Sequence, residues 1–278
     1  MRRIEWSEIL GYLPQREVQN ADHWVAPGDA EAAMRWGTGR GVRIAILDSG
    51  VEWSHPDLEG ARIADDVALV ENDGAIDVQP GEGVDVFGHG TAVAGIVRKL
   101  APDAEIGSFR VLDGNNQARS EMICEGARLA IEQGYHILNC SFGARLRQQV
   151  LMYKNWVDLA YLRGVHVVAA CNNDDFRKPE WPGDFSSVIT VHMVRAAVEA
   201  DRQRIFRNTA GTLVEYAAWG VDVEVPWKGG ARLVTTGSSF AAPRMTGLIA
   251  RLLSFFPGLS PWTLKAVLHG VAQPVSTP

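Results

Sequence analysis

The strongest constraint on the fold is an alternation of two patterns after Gly41. Short apolar runs, which are typical of buried strands, alternate with stretches that place apolar residues at helical spacing. The predicted strands are residues 42–47, 104–112, 136–139, 165–170 and 188–193. The predicted helices are residues 89–100, 120–133, 148–162, 239–255 and 261–268. Such alternation predicts an α/β fold with a mostly parallel central sheet and helices on both of its faces.

The chain has 278 residues, of which 46% are hydrophobic, and this is enough to build one large core. Residues 1–22 are polar apart from a short apolar group around Tyr12-Leu13-Pro14, and we interpret them as an N-terminal leader. Residues 23–278 are predicted to form a single domain. The segment 195–228 is more polar and irregular, and its elements are not predicted.

Charge, hydropathy and cysteine usage argue against several classes of partner. The formal net charge of −6 does not suit a phosphate backbone, and no apolar run is long enough to span a bilayer. The basic residues at the start are not followed by the apolar stretch of a secretory signal. Cys124, Cys140 and Cys171 are odd in number and lack metal-ligand spacing, so reduced thiols are expected. We therefore expect a cytoplasmic protein without nucleic-acid or membrane partners, and the sequence makes no prediction of its oligomeric state.

Three short motifs each place one reactive side chain beside glycine. Asp48 ends the first predicted strand, whereas His89 and Ser239 each open a predicted helix. The motifs are Asp48-Ser49-Gly50, Gly88-His89-Gly90-Thr91 and Gly237-Ser238-Ser239. A hydroxyl becomes an effective nucleophile when an imidazole takes its proton and a carboxylate orients that imidazole. Each residue taken singly is more often a cap or a satisfied polar group, but the three together predict a serine nucleophile.

The chain resembles the subtilisin-like serine peptidases (subtilases), in which Asp, His and Ser follow one another in this order. The matching blocks are residues 39–60, 87–95, 139–143, 167–172, 181–191 and 236–247. This resemblance implies a three-layer α/β fold and an endopeptidase that acts on peptides or proteins through an acyl-enzyme. It also implies that Asp48 is the carboxylate, His89 the general base and Ser239 the nucleophile.

Further roles follow from the same resemblance. The run Val168-Ala169-Ala170-Cys171-Asn172 implies that Asn172 donates to the oxyanion, although the neighbouring Asn173 leaves the register open. Ser141, Phe142 and Gly143 are expected to pair with the extended substrate backbone, and Ala170 to line the substrate site.

No metal or other cofactor is expected. Bacterial subtilases commonly carry a calcium-binding loop inside the helix that follows the catalytic His, but here residues 95–100 continue directly into residues 101–103. Asp57 matches a calcium ligand of the family, yet the several further oxygen ligands that calcium needs are not evident.

Glu180 stands just before Trp181-Pro182-Gly183, where the resemblance places the base of the primary specificity pocket. A carboxylate there predicts a preference for Lys or Arg before the cut, with the acidic segment 65–85 adding long-range attraction. The alternative is that Glu180 turns to solvent or pairs with Arg177 or Lys178, which leaves an apolar pocket.

Two other functions remain open at this point. A transamidase would use the same acyl-enzyme with an amine acceptor, and an inactive protease-like scaffold would hold peptides without cutting them. The leader also has two interpretations. Either Tyr12-Leu13-Pro14 lies across the active-site groove, or residues 1–22 form a disordered or surface-packed tail.

Overall fold

The computed structural model describes residues 25–195, 203–208 and 214–275. The predicted leader lies outside these ranges, together with the hypothesis for Tyr12-Leu13-Pro14. The strands are β1 (Arg43–Asp48), β2 (Arg62–Asn72), β3 (Ala75–Pro80), β4 (Glu105–Arg110), β5 (Ile137–Cys140), β6 (His166–Ala170), β7 (Ile189–Val194), β8 (Ile205–Asn208), β9 (Tyr216–Trp219), β10 (Val223–Trp227), β11 (Ala231–Thr235) and β12 (Gln273–Val275). The helices are α1 (Pro27–Trp36), α2 (His89–Leu100), α3 (Ser120–Glu132), α4 (Val150–Leu162), α5 (Ser238–Phe255) and α6 (Pro261–Val271).

One ten-stranded sheet organises the described residues, in the order β12-β8-β9-β7-β6-β5-β1-β4-β2-β3. Neighbouring strands are parallel except for the antiparallel pairs β2–β3 and β8–β9. Strands β10 and β11 form a separate antiparallel hairpin. The parallel strands end at a common edge, where the loops that carry the predicted site residues meet.

Helices cover both faces of the sheet, as the period-two alternation of the strands requires. In β1, Ile44 and Ile46 belong to the core shared with α1, α2, α5 and α6, whereas Ala45 and Leu47 belong to the core shared with α3 and α4. The result is a three-layer α/β fold. No helix among the described residues has the length and hydropathy needed to cross a membrane.

The predicted elements are present, and the helix from His89 to Leu100 is continuous as expected. The β2–β3 and β10–β11 hairpins were not predicted from the sequence. Strand β2 is buried only around Ala68 and Leu69, and β3 is almost wholly exposed. Strands β2 and β3 therefore carry many charged residues. The sequence pattern indicated an acidic segment there rather than strands.

Candidate active site

Asp48 and His89 form a buried pair at the carboxyl edge of the sheet. Asp48 ends β1 and His89 begins α2, and His89 Nδ1 lies 2.9 Å from both carboxylate oxygens. The Ser49 backbone N–H also donates to Asp48 Oδ1 at 2.8 Å. Burial by itself lowers the pKa of His89, but the charge and hydrogen bond of Asp48, with the charge of Asp85, outweigh it, so the pKa is raised.

Glycine allows these two elements to approach. A Cβ on Gly90 would collide with the carbonyl oxygen of Gly50, and Gly50 itself has a φ of +99°. Side chains at these positions would separate the end of β1 from the start of α2. The glycines of the first two motifs thus allow the Asp48–His89 contact.

Asp85 is a second buried acidic group of this cluster, and no motif in the sequence indicated it. Its Oδ1 accepts from Ser49 Oγ at 2.8 Å and from the Gly88 N–H at 2.6 Å, and its Oδ2 accepts from the N–H and the hydroxyl of Thr91. Ser49 Oγ in turn lies 3.3 Å from Asp48 Oδ1. Asp85 therefore caps the start of α2 and connects, through one hydroxyl, to the carboxylate that holds His89. An acidic residue four positions before a helix-opening His was the available signal.

Ser239 lies in the first turn of α5. The ring of its neighbour Phe240 packs against the His89 ring, with centroids 5.4 Å apart. Ser239 Oγ donates to the Ser141 carbonyl at 3.1 Å rather than to the imidazole. Ser141 Oγ donates back to the Ser239 carbonyl at 3.0 Å. The structure thus places Ser239 next to a residue whose ring contacts His89, and the Ser239 hydroxyl donates to the predicted substrate-binding segment.

Asn172, the predicted oxyanion donor, and its neighbour Asn173 make different contacts beside the nucleophile. Its Nδ2 donates to Glu180 Oε1 at 2.7 Å, and its Oδ1 accepts from the N–H groups of Asp174 and Asp175. It is Asn173 that contacts the nucleophile's segment, because its Oδ1 accepts from the Ser238 N–H at 2.8 Å. Asn173 is exposed whereas Asn172 is buried.

The predicted substrate-binding residues are close together. Ala144 forms an antiparallel bridge with Trp181, which brings segment 141–144 alongside Glu180. Glu180 lies against Gly143, where a Cβ would collide with its carboxylate. Ala170 ends β6, two residues before Asn172.

Glu180 has neither of the alternative environments considered from the sequence. Only 7% of the residue is exposed, so it does not turn to solvent, and Arg177 pairs with Asp175 instead. Its ionic partner is Arg145, whose Nε lies 2.6 Å from Glu180 Oε1. Its predicted role in specificity stays a prediction.

The residues at the family's calcium position do not fit a calcium ion. Asp57 is ion-paired with the guanidinium of Arg232, which supplies the positive charge that a metal would otherwise bring. Helix α2 has no inserted loop. Among the described residues, no group of three or more His, Cys, Asp or Glu side chains could hold a metal ion.

Cys171 borders the site without the features of a nucleophile. Its Sγ lies 3.3 Å from His192 Nδ1, a neighbour that the sequence did not indicate. Burial raises the pKa of the Cys171 thiol to about 12 and lowers the pKa of His192, so neither group favours a thiolate–imidazolium pair.

Comparison with known proteins identifies the family of the chain. Residues 39–276 match the model of the subtilase family. The chain is 29% identical over 262 residues to thermitase from Thermoactinomyces vulgaris, covering 90% of this chain and 88% of that protein. It is 29% identical over 249 residues to a thermostable alkaline protease from Halalkalibacterium halodurans, covering 86% of this chain but only 64% of that protein. The crystal structure of a cold-adapted subtilisin-like serine proteinase aligns with a TM-score of 0.66 at 23% identity, over 83% of this chain and 82% of that one. The chain belongs to the subtilase family, and its fold is subtilisin-like.

Proposed function

We propose that this protein is a serine endopeptidase in which Asp48, His89 and Ser239 form the catalytic triad. The observation that carries the proposal is the buried Asp48–His89 pair, with Ser239 at the start of the adjoining helix α5. A carboxylate on Nδ1 leaves Nε2 as the imidazole atom that can accept a proton. Family membership supports the same reaction.

In the first step, Ser239 Oγ leaves the Ser141 carbonyl and presents its hydrogen to His89 Nε2. As Nε2 takes the proton, Oγ bonds to the substrate carbonyl carbon, and the carbonyl oxygen becomes an oxyanion. Asp48 stabilises the imidazolium that forms. The imidazolium then protonates the leaving amine as the C–N bond breaks, which gives an acyl-enzyme that water hydrolyses by the same sequence of proton transfers.

The oxyanion donors on this proposal are the Ser239 backbone N–H and the side-chain amide of Asn173. The first turn of a helix has N–H groups without intrahelical partners, and these favour negative charge. The Asn173 side chain is oriented by its bond to the Ser238 N–H, which uses the amide oxygen and leaves Nδ2 as the donor. Such donors act on charge that develops only during the reaction.

The finer proposal is a preference for Lys or Arg immediately before the cut. Its support is the buried carboxylate of Glu180 against Gly143, within the segment expected to bind the substrate backbone. A charge-assisted hydrogen bond to that carboxylate would discriminate in favour of a basic side chain.

The proposal is tested by digesting a peptide library and measuring the product masses. The expected products are hydrolysed peptides, each cleavage adding one water, and Ser239→Ala should abolish them. Ser238→Ala is the matched control, because its Oγ donates to the Cys171 carbonyl and takes no part in the proposed chemistry. Products joined through a new amide would indicate a transamidase. Absence of products from a folded wild-type protein would contradict the proposal and favour a binding scaffold.

A further inference from the structure

The carboxylate of Glu180 has one engaged oxygen and one open oxygen. Oε1 accepts from Arg145 Nε at 2.6 Å and from Asn172 Nδ2 at 2.7 Å. Oε2 lies against Gly143 and accepts no hydrogen bond from the residues that the structure describes. The open oxygen is therefore the one next to the predicted substrate-binding segment.

The two partners of the ion pair differ sharply in exposure. The Arg145 side chain is 66% exposed, whereas the Glu180 side chain is 8% exposed. Within the described part of the chain, the one hydrogen bond of the Arg145 side chain is that to Glu180. An exposed guanidinium loses little when it withdraws into water, but the buried carboxylate cannot follow it.

We propose that Arg145 competes with the basic side chain of a substrate for the Glu180 carboxylate, and so determines how strongly the site prefers Lys or Arg before the cut. This inference rests on the proposed peptidase function. With Arg145 in place the pair is neutral, so a second cation at Oε2 gains less than it would from an unpaired carboxylate. When Arg145 is removed, Glu180 loses its ionic partner, and a cationic ligand at Oε2 becomes the partner of the carboxylate. Asn172 remains to hold the carboxylate in position.

The test compares kcat/KM for matched peptides with Arg or Phe before the cut. In Arg145→Ala the Arg-to-Phe ratio should rise about fivefold, the upper range for an ion pair with one exposed partner. Arg177→Ala is the matched control, because Arg177 is an exposed arginine paired with Asp175 rather than with Glu180. Its ratio should equal that of the wild type. The rise should vanish in the double variant Arg145→Ala/Glu180→Gln.

A binding measurement separates this inference from the proposed function. Benzamidine, an aromatic cation, should bind Ser239→Ala about fivefold more tightly when Arg145→Ala is added, as measured by calorimetry. Tighter benzamidine binding in these variants, together with no peptide cleavage by the wild-type protein, would support the role of Arg145 while refuting the peptidase. An unchanged ratio and unchanged benzamidine affinity, or a rise that survives Glu180→Gln, would overturn the inference. Thermal unfolding of each variant checks that it is folded.

Discussion

The Asp48–His89 side of the site and the Ser239–Glu180 side differ in how many hydrogen bonds must be exchanged when a substrate binds. On the first side, the contacts among Asp48, His89, Ser49 and Asp85 are all buried. None of them needs to break during the proposed reaction. On the second side, the Ser239 hydroxyl donates to the Ser141 carbonyl, and Arg145 is ion-paired with Glu180. A bound substrate would have to replace or share these contacts.

The difference shows how the site divides its tasks. Groups that stabilise charge are most effective when they are fixed before the reaction, because no reorganisation is then needed. Groups that contact a substrate must instead exchange an internal partner for an external one. On the proposed mechanism, the buried side therefore supplies orientation and charge, and the other side supplies contacts that a peptide can replace.

The largest predicted effect tests whether Asn173 or Asn172 donates to the oxyanion. Asn173→Ala should lower turnover about 10²–10³-fold, the loss known for removal of the oxyanion asparagine from subtilisin. Asn172→Ala should have a much smaller effect on turnover. It should instead lower the free energy of unfolding by about 1–3 kcal/mol, because the N–H groups of Asp174 and Asp175 lose their acceptor. Steady-state kinetics and denaturant unfolding of both variants distinguish them, and the reverse pattern would restore Asn172 to the oxyanion role.

A smaller predicted effect is on the pH dependence of kcat/KM, which tests the surroundings of His89 on the buried side. His89 must be neutral to accept a proton, so kcat/KM rises as pH passes its pKa. The charge of Asp85 is one cause that raises the pKa of His89, and Asp85→Asn should therefore move the acid limb of the kcat/KM profile to lower pH. Ser49→Ala keeps that charge but removes the bridging hydroxyl, so its acid limb should stay in place. An acid limb that moves equally in both variants would show that the hydroxyl bridge matters rather than the charge of Asp85.

Sequence patterns predicted the parallel core because it depends on local periodicity, and the order of the motifs along the chain was the basis for proposing the three triad residues. Residues 42–47 formed a visible apolar run, and the actual strand β1 differs from it by one residue at each end. The partners of Glu180 and Asp57 could not be predicted in this way. Arg145 and Arg232 reach them across 35 and 175 positions of sequence. Similarly, two adjacent asparagines share one local pattern, and only the turn that packs against Ser238 distinguishes them.

The central claim is that Ser239 is the nucleophile activated by His89. Its most direct test is to label the protein with a fluorophosphonate, which reacts with activated serine hydroxyls, and to map the adduct by peptide mass spectrometry. The neighbouring Ser238 is an internal comparison, since its Oγ is buried and bonded to the Cys171 carbonyl. We predict one adduct, on Ser239, that is lost in His89→Ala. An adduct on Ser238, or labelling of Ser239 at an unchanged rate in His89→Ala, would contradict the account.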